Sequence, residues 1–380
     1  MSNIKEKQDI YSLLPASSES LLSSKGKDFV ERIGIDVLHE VVYNVLCGRN
    51  LRDSTEMITR RRIGMLNAAT FIMFLKGMSR EKNFAKRLPE LAADELKSSK
   101  KKEVRWVNEW LLGLTDKAFQ NVLRDKATEI DRYAKKYAKE IEEIVAYCDK
   151  EHGEIKGIVE FRNGQKVEID WSFIVQLLGT VGAQTLAIRG SEKSTYGKLF
   201  ERLILGSMLT MLGFKLIQRD NISTFNRVFW LSERQEKRES DATALITAGR
   251  GVRFDIGFIG RGNPEISLDK VSRFEREIEL GRQRFYMATF ILVDRVGEGS
   301  RIVELAKRVD GTIVQMSMSF WPKLVAITLR DKLGYDSELA SIPDDQVEDY
   351  LKNGLAKIDL LEFVGGKGRN NNVSKLEDFG

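Results

Sequence analysis

The sequence predicts an α/β protein, a mixed α+β sheet flanked by helices, preceded by an all-α N-terminal domain. Three observations carry this. Apolar residues recur at helical spacing from Lys27 to about Ala146, and the period shortens to alternation between Ile155 and Trp171. From Thr195 onward, helical and strand-like segments follow one another, the pattern of a sheet covered by helices. A chain of 380 residues with 42% hydrophobic content is long enough to bury two ordinary cores.

Residues 1–150 read as a helical, basic domain. Val37, Val41 and Val45, then Met65, Ala69, Ile72 and Leu75, mark successive apolar stripes, and between Lys27 and Ala146 proline occurs only at Pro89. Trp106, Trp110, Leu111 and Leu114 form a further stripe, suited to a core or a dimer interface. A long charged helix from Thr115 to Lys150 is expected to close the domain. Residues 151–190 read as a hairpin and a connecting helix: Asn163-Gly164 between two alternating runs predicts a type I′ turn, and Ser172 to Ile188 predicts a helix.

Residues 191–335 form the α/β domain. A helix from Thr195 to Leu212 ends at Gly213, and Phe214 to Gln218 is a short strand. Asp241 to Thr247 and Val252 to Ile259 are strands across the turn Ala248 to Gly251, and Glu265 to Leu268 follows a Gly-rich loop. A helix from Lys270 to Leu280, a strand from Met287 to Val293, a helix from Ser300 to Arg308, a strand from Thr312 to Met318 and a helix from Lys323 to Leu333 complete it. Residues 336–380 read as a C-terminal helix and a flexible tail, polar after Gly365.

Composition excludes several chemistries. Cys47 and Cys148 are too few for a disulfide framework. His39 and His152, the only histidines, exclude zinc fingers, a His-rich nuclease site and the H-E-x-x-H metalloprotease helix. Hydrolytic chemistry must therefore rest on carboxylates and lysine. The longest apolar runs stop short of the roughly 20 residues of a membrane span, and the charged N-terminus lacks a signal-peptide pattern, so a cytoplasmic protein with no membrane partner is expected. The net charge of +5 resides in residues 1–150, with 28 basic against 23 acidic side chains; the remainder has 33 of each. Between Leu51 and Arg105, 14 basic residues face 7 acidic ones, and Arg60, Arg61 and Arg62 are candidates for phosphate contact. Each such cluster can equally be a solvated helical face.

Alternation in Val252 to Ile259 puts Val252, Phe254, Ile256 and Phe258 on one face and Arg253, Asp255 and Gly257 on the other. Glu265 and Ser267 share a face in the same way. Pairing the two segments across the Gly-rich loop would bring Asp255 beside Glu265, and two carboxylates so placed call for a divalent cation, expected to be Mg²⁺. Lys270 is the nearest ammonium.

The segment from about Ser194 to Phe320 resembles the core of type II restriction endonucleases of the PD-(D/E)XK nuclease superfamily. Tyr196 to Glu201 is similar to the helix that bears a glutamate there, Phe254-Asp255 stands at the first acid, and Glu265-Ile266-Ser267 at the second acid, any residue, and lysine. Phe254 replaces the family's proline and Ser267 its lysine, for which Lys270 can substitute. A competing assignment takes Asp241 as first acid and Asp255 as second, leaving Gly257 at the lysine position. The resemblance implies Mg²⁺-dependent hydrolysis of both strands of a specific site in double-stranded DNA, by a homodimer that matches a two-fold site. A repair or mobile-element nuclease on the same core, or an inactive DNA-binding relative, would carry the same features.

Overall fold

The computed structural model describes residues 9–23, 26–124, 126–217, 226–232, 240–257, 286–294 and 311–364. The chain forms two compact units, each discontinuous. One takes Met1–Lys25 and Thr55–Tyr196, the other Gly26–Ser54 and Gly197–Gly380.

The first unit is mainly helical: α1 Glu19–Ser23, most of α4 Leu51–Arg80, α5 Phe84–Ser98, α6 Lys102–Leu111, α7 Asp116–Val122, α8 Ala127–His152 and the first half of α9 Trp171–Met211. It also carries the hairpin β1 Gly157–Glu160 and β2 Lys166–Ile169. Phe74 stands edge-on to Phe84 and Phe173 in its core, and Trp110, Leu111 and Leu114 are buried, so that stripe is core. The expected helix from Thr115 to Lys150 is two. Thr115 caps α7 by accepting the Ala118 amide, and Arg124, at φ 48°, ends it without a glycine or proline to announce the break. The hairpin forms at Asn163-Gly164 as expected, but through a longer turn. The Gly164 amide donates to Phe161, and only Gly164 has positive φ, so the turn is not type I′.

The second unit holds α2 Gly26–Ile33, α3 Ile35–Leu46, the second half of α9, a sheet, α10 Trp321–Leu333 and α11 Val347–Leu355. The expected boundaries near residues 150 and 190 differ from this division. The Trp321 indole donates to the Val45 carbonyl at 2.8 Å and the Tyr43 hydroxyl to Glu348 at 3.2 Å, so α3 packs with the sheet unit. Helical periodicity identifies an apolar stripe without saying which partner buries it.

The sheet has six strands in sequence order: β3 Lys215–Leu216, β4 Val228–Leu231, β5 Ala242–Thr247, β6 Arg250–Gly257, β7 Tyr286–Val293 and β8 Gly311–Gln315. β4, β5 and β6 form an antiparallel meander, while β7 and β8 run parallel to β6. This is the mixed sheet the sequence predicts, with β4 as an addition. Its Val228-Phe229-Trp230-Leu231 run is apolar without alternation. Gly249, at φ 76°, turns the chain between β5 and β6.

Trp171 and Ile188 lie in one continuous 41-residue helix with Met211, because nothing between Arg189 and Thr195 forbids helix. The stretch Trp171–Ser191 is long and apolar enough to cross a membrane, against the expectation of no such segment. Its buried positions, however, include Gln176, Thr180 and Gln184 beside Phe173, Ala183 and Ile188. Gln176 donates to the Leu111 carbonyl at 2.7 Å, and Gln184 donates to Asn67 and accepts from Thr70.

Candidate active site

β6 is a central strand, and both its faces are covered. Val252, Phe254 and Ile256 are fully buried on one side, Phe254 stacking on Phe290 of β7 at 5.1 Å. The opposite face carries Arg253 and Asp255, 5% and 7% exposed. The alternation read from the sequence holds, but Asp255 is not a solvent-facing carboxylate.

Its neighbour across the sheet follows from register. Ala242 pairs with Phe254 and Thr243 with Arg253 in the antiparallel β5–β6 ladder. Asp241 is the bend just before β5, and continuing the register by one step would set it across from Asp255. The Asp241 carboxylate is fixed there: its Oδ2 accepts the Ile256 amide at 2.9 Å, and its carbonyl accepts the Ser232 amide from the end of β4. Ser240 and Thr243, both buried, share a hydrogen bond of 3.1 Å beside it. On its other edge Asp255 pairs with Ile291 of β7.

The edge of β6 beside Asp255 that faces away from β5 is therefore occupied by β7, and among the described residues Asp241 is the acid whose carboxylate reaches β6. Glu265, Ser267 and Lys270 themselves lie outside the described residues. Glu201 is on α9, half-buried, in the turn that Arg202 ties to the sheet by donating to the carbonyls of Ser232 and Phe363. That turn consequently adjoins the end of the sheet where Asp241 enters β5. Among the described residues no group of three acids, histidines or cysteines forms a metal cage. What the sheet supplies is two carboxylates and, two residues from Asp255 on the same face, the buried guanidinium of Arg253. Sequence reasoning misses Arg253 because an arginine in a strand reads as a solvent-facing position.

The three arginines on α4 have different fates. Arg60 is exposed and pairs with Glu56 at 2.9 Å, and Arg189 of α9 pairs with the same carboxylate at 3.1 Å. Hydrogen bonds from Arg189 and then Arg60 lower Glu56 to a pKa of about 2. Arg61 is exposed. Arg62 departs from the expected role: it is 4% exposed, and its guanidinium donates to the carbonyls of Leu21 and Leu22, closing on the chain's own backbone.

Comparison with known proteins identifies the family. The family model described as CfrBI restriction endonuclease matches residues 35–301. The type II restriction enzyme CfrBI of Citrobacter freundii is 40% identical over 341 residues, 89% of this chain and 93% of that protein. No solved structure matches the chain. The chain belongs to the CfrBI restriction endonuclease family.

Proposed function

We propose that this restriction endonuclease cuts both strands of a specific double-stranded DNA site with Mg²⁺ held by Asp241 and Asp255, on a core of the PD-(D/E)XK kind. The observation that carries the reading is the reach of Asp241, at the start of β5, onto β6, where its carboxylate accepts the amide of Ile256, the residue after Asp255. Two like charges near one another, Asp255 buried and Asp241 half-buried, are costly, and hard carboxylate oxygens suit a divalent cation such as Mg²⁺. When bound, that cation polarises the scissile phosphate and lowers the pKa of an attacking water.

The remaining roles fall to the chain. Asp241 and Asp255 hold their oxygens at fixed spacing on adjacent strands, so little reorganisation accompanies the reaction. Arg253 places a positive charge on the same face, which offsets part of the carboxylate repulsion and favours the anionic phosphodiester. Glu201 borders the site from α9. Gly257 occupies the lysine position in this assignment, and Arg253, four residues before it, is a cation on the same strand. Arg60 and Arg61 remain the surface candidates for phosphate contact.

The test is plasmid cleavage with and without Mg²⁺, comparing Asp241→Ala and Glu265→Ala. Discrete fragments that require Mg²⁺, lost in Asp241→Ala and retained in Glu265→Ala, are the expected outcome. Loss in Glu265→Ala with full activity in Asp241→Ala would restore the other pairing.

A further inference from the structure

Of the two proposed metal ligands, Asp241 has the weaker hold on the sheet. Asp255 lies within β6, paired along its far edge with β7, whereas Asp241 is a half-buried bend before β5 begins. Its position therefore depends on bonds from outside the β5–β6 ladder. The Ile256 amide fixes its carboxylate, and Ser232, the residue after β4, fixes its main chain. The Ser232 amide donates to the Asp241 carbonyl at 3.1 Å, and the Ser232 hydroxyl donates to the Ser240 carbonyl. Ser232 is held in turn by Arg202 of α9, whose Nη1 donates to the Ser232 carbonyl at 2.6 Å. The same guanidinium donates from Nε to the Phe363 carbonyl at 2.8 Å.

Local structure explains why two distant carbonyls meet at one side chain. Arg202 and Gly206 stand four residues apart on α9, so they share a face. Gly206 leaves a notch there: a Cβ would lie 2.5 Å from the Phe363 ring, which is buried and also packs against Phe229 of β4, centroid to centroid at 6.4 Å. Phe229 precedes Ser232 by three residues. The turn Leu360–Phe363 is itself set by Asp359, whose carboxylate accepts the Leu361 amide at 2.9 Å. Seating the ring brings the Phe363 carbonyl to Arg202, and β4 delivers the Ser232 carbonyl to it. A planar guanidinium holds its donors at fixed angles, so the bond to one carbonyl orients the donor aimed at the other. An ammonium on a flexible stem fixes neither.

We propose that Arg202 is a positioning residue for Asp241, acting through Ser232, and that the C-terminal turn at Phe363 sets its orientation. The inference rests on the reading of Asp241 as a metal ligand. Groups that orient a ligating carboxylate typically change metal affinity or activity by about 10- to 100-fold when lost. Arg202 acts through the position of the ligand, so its effect belongs on metal affinity more than on the rate at saturating metal.

The experiment titrates Mn²⁺ into the DNA-free, full-length protein and counts the free ion by electron paramagnetic resonance, for wild type, Asp241→Ala, Arg202→Lys and Ser232→Ala. Single-turnover plasmid cleavage across Mg²⁺ concentrations gives the half-saturating metal and the limiting rate of the same proteins. Arg202→Lys is expected to weaken Mn²⁺ about 10-fold, to raise the half-saturating Mg²⁺ by a similar factor, and to recover most of the limiting rate when Mg²⁺ saturates. Ser232→Ala, which loses only the bond to Ser240, is expected to shift both by about 3-fold, and it decides the matter if Arg202→Lys does not fold. A clamp that served stability alone would lower the melting temperature and leave the half-saturating metal where it is. Wild-type Mn²⁺ affinity in folded Arg202→Lys, or in Ser232→Ala where the first variant does not fold, therefore overturns the inference. If Asp241→Ala loses Mn²⁺ while Arg202→Lys keeps it, the positioning role alone fails. If Asp241→Ala binds Mn²⁺ as wild type does, the metal-ligand reading fails and the inference with it.

Discussion

Replacing Asp255 by asparagine should separate catalysis from stability, moving them in opposite directions. The substitution keeps shape and removes one of two facing negative charges. Cβ atoms directly opposite in an antiparallel pair are about 5 Å apart. At an effective dielectric of about 20, two unit charges at that distance repel by about 3 kcal/mol. Arg253 on the same face already offsets part of this, so in EDTA the variant should be more stable by about 1–2 kcal/mol, a rise of roughly 2–8 °C in melting temperature. Activity should fall, because a lost metal ligand removes several kcal/mol of transition-state stabilisation, about 10²- to 10⁴-fold in rate. The assay pairs single-turnover cleavage of a plasmid in Mg²⁺ with thermal melting in EDTA and in Ca²⁺. Wild type should melt higher in Ca²⁺, and Asp255→Asn should lose most of that increment. A variant that cuts at the wild-type rate, or that melts lower in EDTA yet keeps the full Ca²⁺ increment, would refute the facing-carboxylate argument.

Arg62→Ala should cost about 2–4 kcal/mol of stability by orphaning the Leu21 and Leu22 carbonyls, with the salt dependence of DNA binding unchanged, whereas Arg60→Ala with Arg61→Ala should flatten that dependence by about one unit of slope for each phosphate no longer neutralised. Denaturant melts and binding titrations across salt distinguish the two. Burial, and then a hydrogen bond with Asp9, raises Glu95 from 4.5 to about 7, so the folded state holds an extra proton between those values and stability should fall as pH rises through them. The loss should be about 1–2 kcal/mol once solvent screening of this partly exposed group is allowed for, and Glu95→Gln should abolish it in melts between pH 4.5 and 8. Gly206→Ala places a Cβ 2.5 Å from the Phe363 ring and should cost about 1–3 kcal/mol; an unchanged melting temperature would mean the ring moves freely.

Much of the sheet was legible because its signals are local. The turn at Ala248-Gly249, the apolar run of β7 and the glycine after α9 each announce themselves within a few residues, and alternation in β6 separated Asp255 from Phe254 and Ile256. What the sequence leaves open is the choice between two neighbours for one strand. β6 is flanked by a Gly-containing turn before it and a Gly-rich loop after it, and either reads as a hairpin connection; only the non-local arrival of β7 decides, by filling the second edge. Arg62 illustrates a different limit. Three consecutive arginines on a helix point about 100° apart, so they cannot share one set of surroundings, and sequence does not say which turns inward.

The division of the chain into interleaved units has a bearing on its synthesis. Residues 26–54 belong with a unit whose helix α10 begins at Trp321, and the Trp321 indole reaches back 276 residues to Val45. At a translation rate of about 5–20 residues per second, α3 leaves the ribosome roughly 14–55 s before that tryptophan exists. During that interval Val41, Val42 and Val45, all buried in the finished protein, have no lasting cover. The helical unit, by contrast, has all of its chain once Tyr196 emerges. Nascent chains long enough to bring Tyr196 clear of the ribosome should therefore hold a protease-resistant body from about residue 55 onward while residues 26–54 remain open to cleavage and to chaperones.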